Sequence, residues 1–179
     1  MPLDNLLALC IEKWRRQGIG LLPPVEEVEV HRAWGSFGQQ AAADVVRLYT
    51  TVGGFAGYEM ADPFYWSLWD WDQLLDENTQ RPGAGVMFSD HMLRSIDYEL
   101  RFEDELRTSV WHLGRFGPEL PELVAPSLDM FFRLYLEDPW TLAGAWSPSE
   151  GAPSKMRGPK RGGWVMEKSD PLWDELLDG

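Results

Sequence analysis

Few side chains in this sequence are of a type and spacing that could do chemistry. The histidines, His31, His91 and His112, lie far apart and make neither a His-Glu-x-x-His helix pair nor a Cys/His set with zinc spacing. Cys10 has no second cysteine to pair with. It falls on the helical stripe Leu3, Leu6, Leu7, Cys10, Trp14, where a thiol reads as a small buried hydrophobe rather than a nucleophile. His91 follows Asp90 and has the form of an oriented base, but no Gly-x-Ser-x-Gly nucleophile motif accompanies it. Asp70-Trp71-Asp72 has the two-carboxylate form that can hold a divalent cation. Ser67-Leu68-Trp69-Asp70 equally fits a capping box that explains Asp70 without a metal. Gly83-Ala84-Gly85 lacks the third glycine and following helix of a phosphate cradle, and no Gly-x-x-x-x-Gly-Lys-Ser/Thr occurs. These residues predict no catalytic centre, no metal site and no cofactor.

What remains is charge. Lysine and arginine total 16 against 29 aspartate and glutamate, a net charge of −13 in 179 residues. Between residues 59 and 105 there are 12 acidic and 3 basic side chains, so most of the field comes from one region. Such a surface repels phosphate backbones and anionic lipid and steers a cationic protein toward itself. The sequence therefore predicts neither a nucleic-acid nor a membrane partner. The candidate contact residues are Asp97, Glu99, Glu103, Asp104 and Glu105 on the solvent face and tip of a hairpin. Asp70, Asp72, Asp76 and Glu77 form a second patch. The plainer reading of the same acids is a solvated, solubilising face. The aromatic cluster Phe64, Tyr65, Trp66, Trp69 and Trp71 suits a core or a stacking platform, and the absence of cations between residues 59 and 80 favours the core.

The elements that must position these residues are legible from periodicity. Residues 3–17 repeat apolar side chains at helical spacing, end in Arg15 and Arg16 and stop at Gly18. Leu21-Leu22-Pro23-Pro24 is an extended connector whose second proline suits the first position of a helix carrying Val30, Ala33, Trp34 and Phe37. Ala41, Val45, Leu48, Tyr49 and Val52 form a third stripe, closed by Gly53-Gly54. Short apolar runs then predict strands at 55–60, 64–66 and 86–88, with a short helix to about residue 78 between the last two. The clearest strand is 96–102, with Ile96, Tyr98, Leu100 and Phe102 toward the core and Asp97, Glu99 and Arg101 toward water. With residues 108–113 it makes an antiparallel hairpin tipped by acid. Leu128, Phe131, Phe132, Tyr135 and Leu136 mark a last helix, opened by Pro126 and Ser127.

The expected architecture is thus an α+β domain over residues 1–142, a mixed, largely antiparallel sheet flanked by helices. Residues 143–163, rich in Gly, Pro and Ser with Lys155, Arg157, Lys160 and Arg161, read as a flexible basic linker. Residues 164–179 read as an acidic amphipathic segment, with Leu172, Trp173, Leu176 and Leu177 on one side. It docks either on its own domain or on a partner, being too short to persist alone as a helix. No signal leader and no apolar run of about 18 residues is seen, so the expected location is cytoplasmic.

Taken in order, several short stretches resemble the SUKH superfamily, which unites bacterial immunity proteins with fungal cell-wall synthesis regulators of the Smi/Knr type. They are Leu21-Leu22-Pro23-Pro24-Val25, Leu48-Tyr49 running into Gly53-Gly54, and Trp66-Ser67-Leu68-Trp69 leading to Leu74-Leu75. Gly85-Val86-Met87-Phe88-Ser89-Asp90-His91, Val124-Ala125-Pro126-Ser127, and Phe131-Phe132 with Tyr135-Leu136-Glu137-Asp138-Pro139 complete the set. The chain departs from the family at Phe37-Gly38-Gln39-Gln40, where a leucine-proline is usual, and beyond Leu142. The resemblance implies a non-catalytic protein that neutralises a cognate toxin, often a nuclease, by occluding it. A nuclease must present basic residues to nucleic acid, so an acidic inhibitor suits that surface. The alternative is an intracellular regulatory or scaffold protein of the same fold with no toxin partner.

Overall fold

The computed structural model describes residues 1–57, 60–79, 81, 85–114, 121–143, 146–147 and 152–153. Three helices come first, α1 (Leu3–Arg16), α2 (Glu27–Ser36) and α3 (Ala43–Tyr49). A five-stranded sheet follows: β1 (Trp66–Leu68), β2 (Val86–His91), β3 (Ile96–Phe102), β4 (Thr108–Gly114) and β5 (Glu122–Ala125). Helix α4 (Trp71–Thr79) lies between β1 and β2, and α5 (Leu128–Glu137) follows β5. A 3₁₀ turn, Pro139–Ala143, and a small ladder of β6 (Trp146–Ser147) with β7 (Ala152–Pro153) complete the described chain.

The class is α+β, as the periodicity predicts. All four pairings of the main sheet are antiparallel and its strands lie in sequence order, so it is a meander with no parallel pair. Short connections suffice for such a sheet, whereas a parallel pair needs a crossover. No helix among the described residues is long and apolar enough to cross a membrane.

One side of the sheet meets α1 and α5 in an aromatic core. Trp14 of α1 stacks on Trp66 of β1 at 5.8 Å, Trp66 meets Tyr135 of α5 at 4.7 Å, and Phe131 touches both Phe88 and Tyr98. Each large ring buries apolar area and gains stacked, tilted or edge-to-face contact beyond it. Cys10 is fully buried here, and burial pushes its thiol far above the usual range, so it is inert. A second cluster, Trp34, Tyr49 and Trp71, ties α2, α3 and α4 together. Of the predicted aromatic core, Trp66 and Trp69 are buried, but Tyr65 is exposed.

Several local expectations are corrected. Pro24 does not open α2, which begins at Glu27. Gly53-Gly54 does not end α3, which stops at Tyr49 with Thr50 as its cap. Gly54, at φ +105°, instead lets the chain pass so close to Trp69 that a Cβ would lie 2.2 Å from its carbonyl oxygen. Phe55 makes only an isolated bridge to Leu21 rather than a strand of the sheet. Ser67 lies in β1, so the capping box fails. Asp70 caps α4 alone, accepting from the Gln73 amide at 2.8 Å. Within the predicted linker, 146–147 pair with 152–153. Ala143 closes the 3₁₀ turn, and the remainder of that linker, the acidic segment 164–179 and the centre of the 81–85 turn lie outside the described residues.

Candidate functional site

The nine acidic candidates do not form one surface. Asp97 and Glu99 point to the side of β3 opposite Tyr98 and Leu100, as alternation requires, yet they are only 8% and 3% exposed. That side is dry because β3 is the central strand and its second face is overlaid. Asn78 of α4 donates to the Met87 carbonyl and accepts from the Met87 amide, each about 2.8–2.9 Å, pinning α4 to β2. Arg101 pairs with Glu99 and lies 4.2 Å over the Trp111 ring, while Arg94 approaches Asp97 at 3.8 Å and covers Trp69. Buried carboxylates are tolerated only when neutralised in this way. Asp97 and Glu99 are therefore internal ion-pair members, which corrects their assignment to a solvent face.

The second patch is also divided. Asp70 is spent on the α4 cap, and both oxygens of Glu77 are held by the Arg94 guanidinium, a bidentate pair. Only Asp72 and Asp76, one turn apart on α4, are exposed.

The tip of the β3–β4 hairpin is different. The two strands pair in unbroken register from Ile96 opposite Gly114 to Phe102 opposite Thr108, leaving residues 103–107 as the connection. Asp104 Oδ1 accepts from the amides of Leu106 and Arg107 at 2.9 and 3.0 Å, and Oδ2 pairs with the Arg107 guanidinium at 3.0 Å. The Leu106 amide chiefly, then Arg107, holds this carboxyl below its ordinary range. Glu103 accepts from Ser109 Oγ. Helix α3 braces the whole tip. Ala43 N donates to the Glu105 carbonyl at 2.9 Å, and Asp44 Oδ2 accepts from Thr108 N and Oγ1 at 2.8 and 2.9 Å. Burial pushes the Asp44 carboxyl up, against the pull of these Thr108 donors.

The braced tip exposes Glu103, Glu105 and the apolar Leu106, the last 71% open. Beside it runs a groove of about 430 Å³ between α2, α3 and the tip, with Glu27 and His31 on one wall and Arg47, Thr50 and Glu105 elsewhere on its lining. Arg47 reaches back to Asp4 of α1 at 3.1 Å. Glu27, whose Oε1 lies 3.7 Å from His31 Nε2, and Glu105 thus line one concavity. Among the described residues no three His, Cys, Asp or Glu side chains are grouped to hold a metal ion.

Several of these features carry no sequence signal. Glu27 and His31 read as helix residues with no reason to meet Glu105. The buried chain in which Trp14 Nε1 donates to Tyr135 OH at 2.7 Å, and Tyr135 OH donates to Asp62 Oδ2 at 2.6 Å, is equally silent. Asp62 Oδ1 also takes the amides of Phe64 and Trp66, and the Asp62-Pro63 turn is the one local hint. His91, beside Asp90, donates from Nε2 to the Phe64 carbonyl at 2.7 Å and lies under the Trp140 ring. Burial lowers its pKa. No protein-family model and no curated protein matches this chain.

Proposed function

We propose that this chain is a non-catalytic binding protein that captures a basic protein partner at the β3–β4 tip and the adjoining groove. In this reading it acts as an immunity protein does, occluding a cationic toxin surface by stoichiometric contact. One observation carries it: Glu105 shares a groove with Glu27 beside exposed Glu103 and Leu106 on a braced tip, while Asp97, Glu99, Asp70 and Glu77 are held by internal bonds. Exposed carboxylates speed the encounter and a central apolar anchor slows dissociation.

The test uses the product of the adjacent reading frame as candidate partner, with association followed by stopped flow. The association rate is expected to fall by about tenfold or more between roughly 0.05 and 0.5 M NaCl, and similarly in E103K/E105K. Leu106→Ala is expected to raise the dissociation rate instead. Rates indifferent to salt and to E103K/E105K remove the acidic mechanism. Inhibition of the partner below one equivalent of this chain removes occlusion.

A further inference from the structure

The opposite end of the sheet carries an unusual conjunction. All non-glycine residues with positive φ among the described residues sit there: Tyr65 at 63°, Met92 at 56°, Leu93 at 53° and Arg94 at 64°. Three of these side chains, Tyr65, Met92 and Leu93, are large, apolar and strongly exposed, Leu93 at 67%. The Met92 amide donates to the Tyr65 carbonyl at 2.8 Å, so the two segments are adjacent, and exposed Trp140 lies over His91, the neighbour of Met92. Left-handed backbone at such residues costs about 1–2 kcal/mol each, and strain of this kind collects where side chains are presented to a ligand.

The α5 side of this surface is anionic. Helix α5 ends here with no basic residue in its last turn, Glu137 and Asp138 are both exposed, and Asp138 Oδ1 accepts from the Trp140 amide. The carbonyl end of a helix adds to the same sign. An apolar centre with a negative rim calls for an apolar segment that carries cations.

The chain supplies one. Residues 155–166 contain Lys155, Arg157, Lys160 and Arg161, no acid, and the apolar residues Met156, Trp164, Val165 and Met166. Residues 170–178, by contrast, add Asp170, Asp174, Glu175 and Asp178 and would be repelled by the rim. Reach is sufficient. The β6–β7 ladder lies against β5, and β5 and β1 are the two edges of the five-stranded sheet, about 19 Å apart at roughly 4.8 Å per strand. The eleven residue steps from Pro153 to Trp164 can span roughly 36 Å when extended.

We propose that the Tyr65, Met92, Leu93 and Trp140 surface is the seat of this chain's own basic segment, residues 155–166, with its cations on Glu137 and Asp138. The contact is independent of the hairpin tip, and its test needs no partner. Disulfide trapping in the full-length protein suits it, because buried Cys10 does not compete. L93C/M166C is compared with L93C/L176C under the same oxidant, and M92C/M166C serves as a second position should Leu93→Cys perturb the turn. The 93/166 pair is expected to close intramolecularly about tenfold faster than 93/176, and to slow several-fold in E137K/D138K and in high salt. Equal rates for the two pairs, or faster closure of 93/176, overturn the proposal. So does a predominance of linked dimers, which would make a second copy the occupant.

Discussion

The two ends of the sheet solve opposite problems. At the β3–β4 tip the backbone is relaxed, with no positive φ between residues 103 and 107, and the turn is satisfied by its own Asp104 and by α3. What it exposes is chiefly charge. At the β2–β3 turn the backbone is strained at three consecutive residues, and what it exposes is chiefly apolar. A braced acidic tip favours fast encounter, while strained apolar presentation favours a contact that persists once made. In the proposed reading, attraction belongs to one end of this small sheet and adhesion to the other.

The heaviest blow to the apolar end is expected at Asp62. Its carboxylate takes the Tyr135 hydroxyl and the Phe64 and Trp66 amides in a site 3% exposed. Asp62→Ala strands two buried donors and a part-buried one, at about 1–3 kcal/mol each with partial relief by water, so a loss of roughly 3–5 kcal/mol is expected from urea unfolding. Asp62→Asn keeps an acceptor and should recover part of it. A loss under about 1 kcal/mol would mean that this chain of bonds does not anchor the end.

The matching cut at the acidic tip is smaller. Asp44→Ala removes the acceptor of Thr108 N and Oγ1, half-buried rather than sealed, and should cost about 2 kcal/mol. It should also loosen the tip, read as faster amide exchange at Leu106 and Arg107 with little change at Met92. Equal loosening of both ends would show that they are one cooperative unit, and the contrast between them would fail.

Proton uptake should distinguish the ends a third way. His91 faces Asp62, Asp90 and Tyr98, and burial lowers its pKa against the pull of the two carboxylates. His112, in β4 against Glu122, is shifted in the same direction by the same cause. A depressed histidine contributes stability that is whole above its unfolded pKa, about 6.5, and is lost as pH falls below it, by at most about 1.4 kcal/mol per pH unit for each. Asp90, whose carboxyl burial raises, works in the opposite sense, gaining stability as pH falls from its raised pKa toward the ordinary carboxylate range. Asp104 is depressed, so its contribution survives until pH falls through the ordinary carboxylate range near 4. Between about pH 7.5 and 5.5, exchange protection corrected for intrinsic rate should therefore drop around Met92 and Trp140 but hold at Leu106. Uniform protection at both ends would break the assignment.

How much of this was legible in sequence depends on whether one strand's pattern suffices. Ile96–Phe102 announces itself, because alternation is a property of the strand alone, and the strand's bounds in the structure are those the pattern predicts. The same alternation misplaces Asp97 and Glu99. Whether the second face is wet depends on α4, Trp69 and Trp111, elements distant in sequence that cover it. Glu103, Asp104 and Glu105 were readable because a tip is exposed by its own topology. The groove formed by Glu27 and Glu105 was not, since it exists only where α2 and α3 meet the hairpin. The left-handed run at 92–94 carries no glycine or asparagine to betray it, and its strain shows only in the folded backbone.

That strain yields the smallest effect and the sharpest sign. Leu93 is two-thirds exposed, so replacing it removes little packing. Leu93→Gly trades a left-handed penalty of about 1–2 kcal/mol for the extra unfolded-state entropy of glycine, about 0.5–1 kcal/mol. In the E137K/D138K background, which weakens the proposed seat of residues 155–166 on Leu93, a net gain of roughly 0.5 kcal/mol is expected, a rise of a few degrees at most in melting temperature. Glu105→Gly at the tip, where φ is ordinary, should cost about 0.5–1 kcal/mol instead. Opposite signs at the two turns would tie the strain to the apolar end alone. If Leu93→Gly destabilised as much as Glu105→Gly, the Leu93 side chain must make contacts worth more than its backbone costs, and residues 155–166 would be the place to look for them.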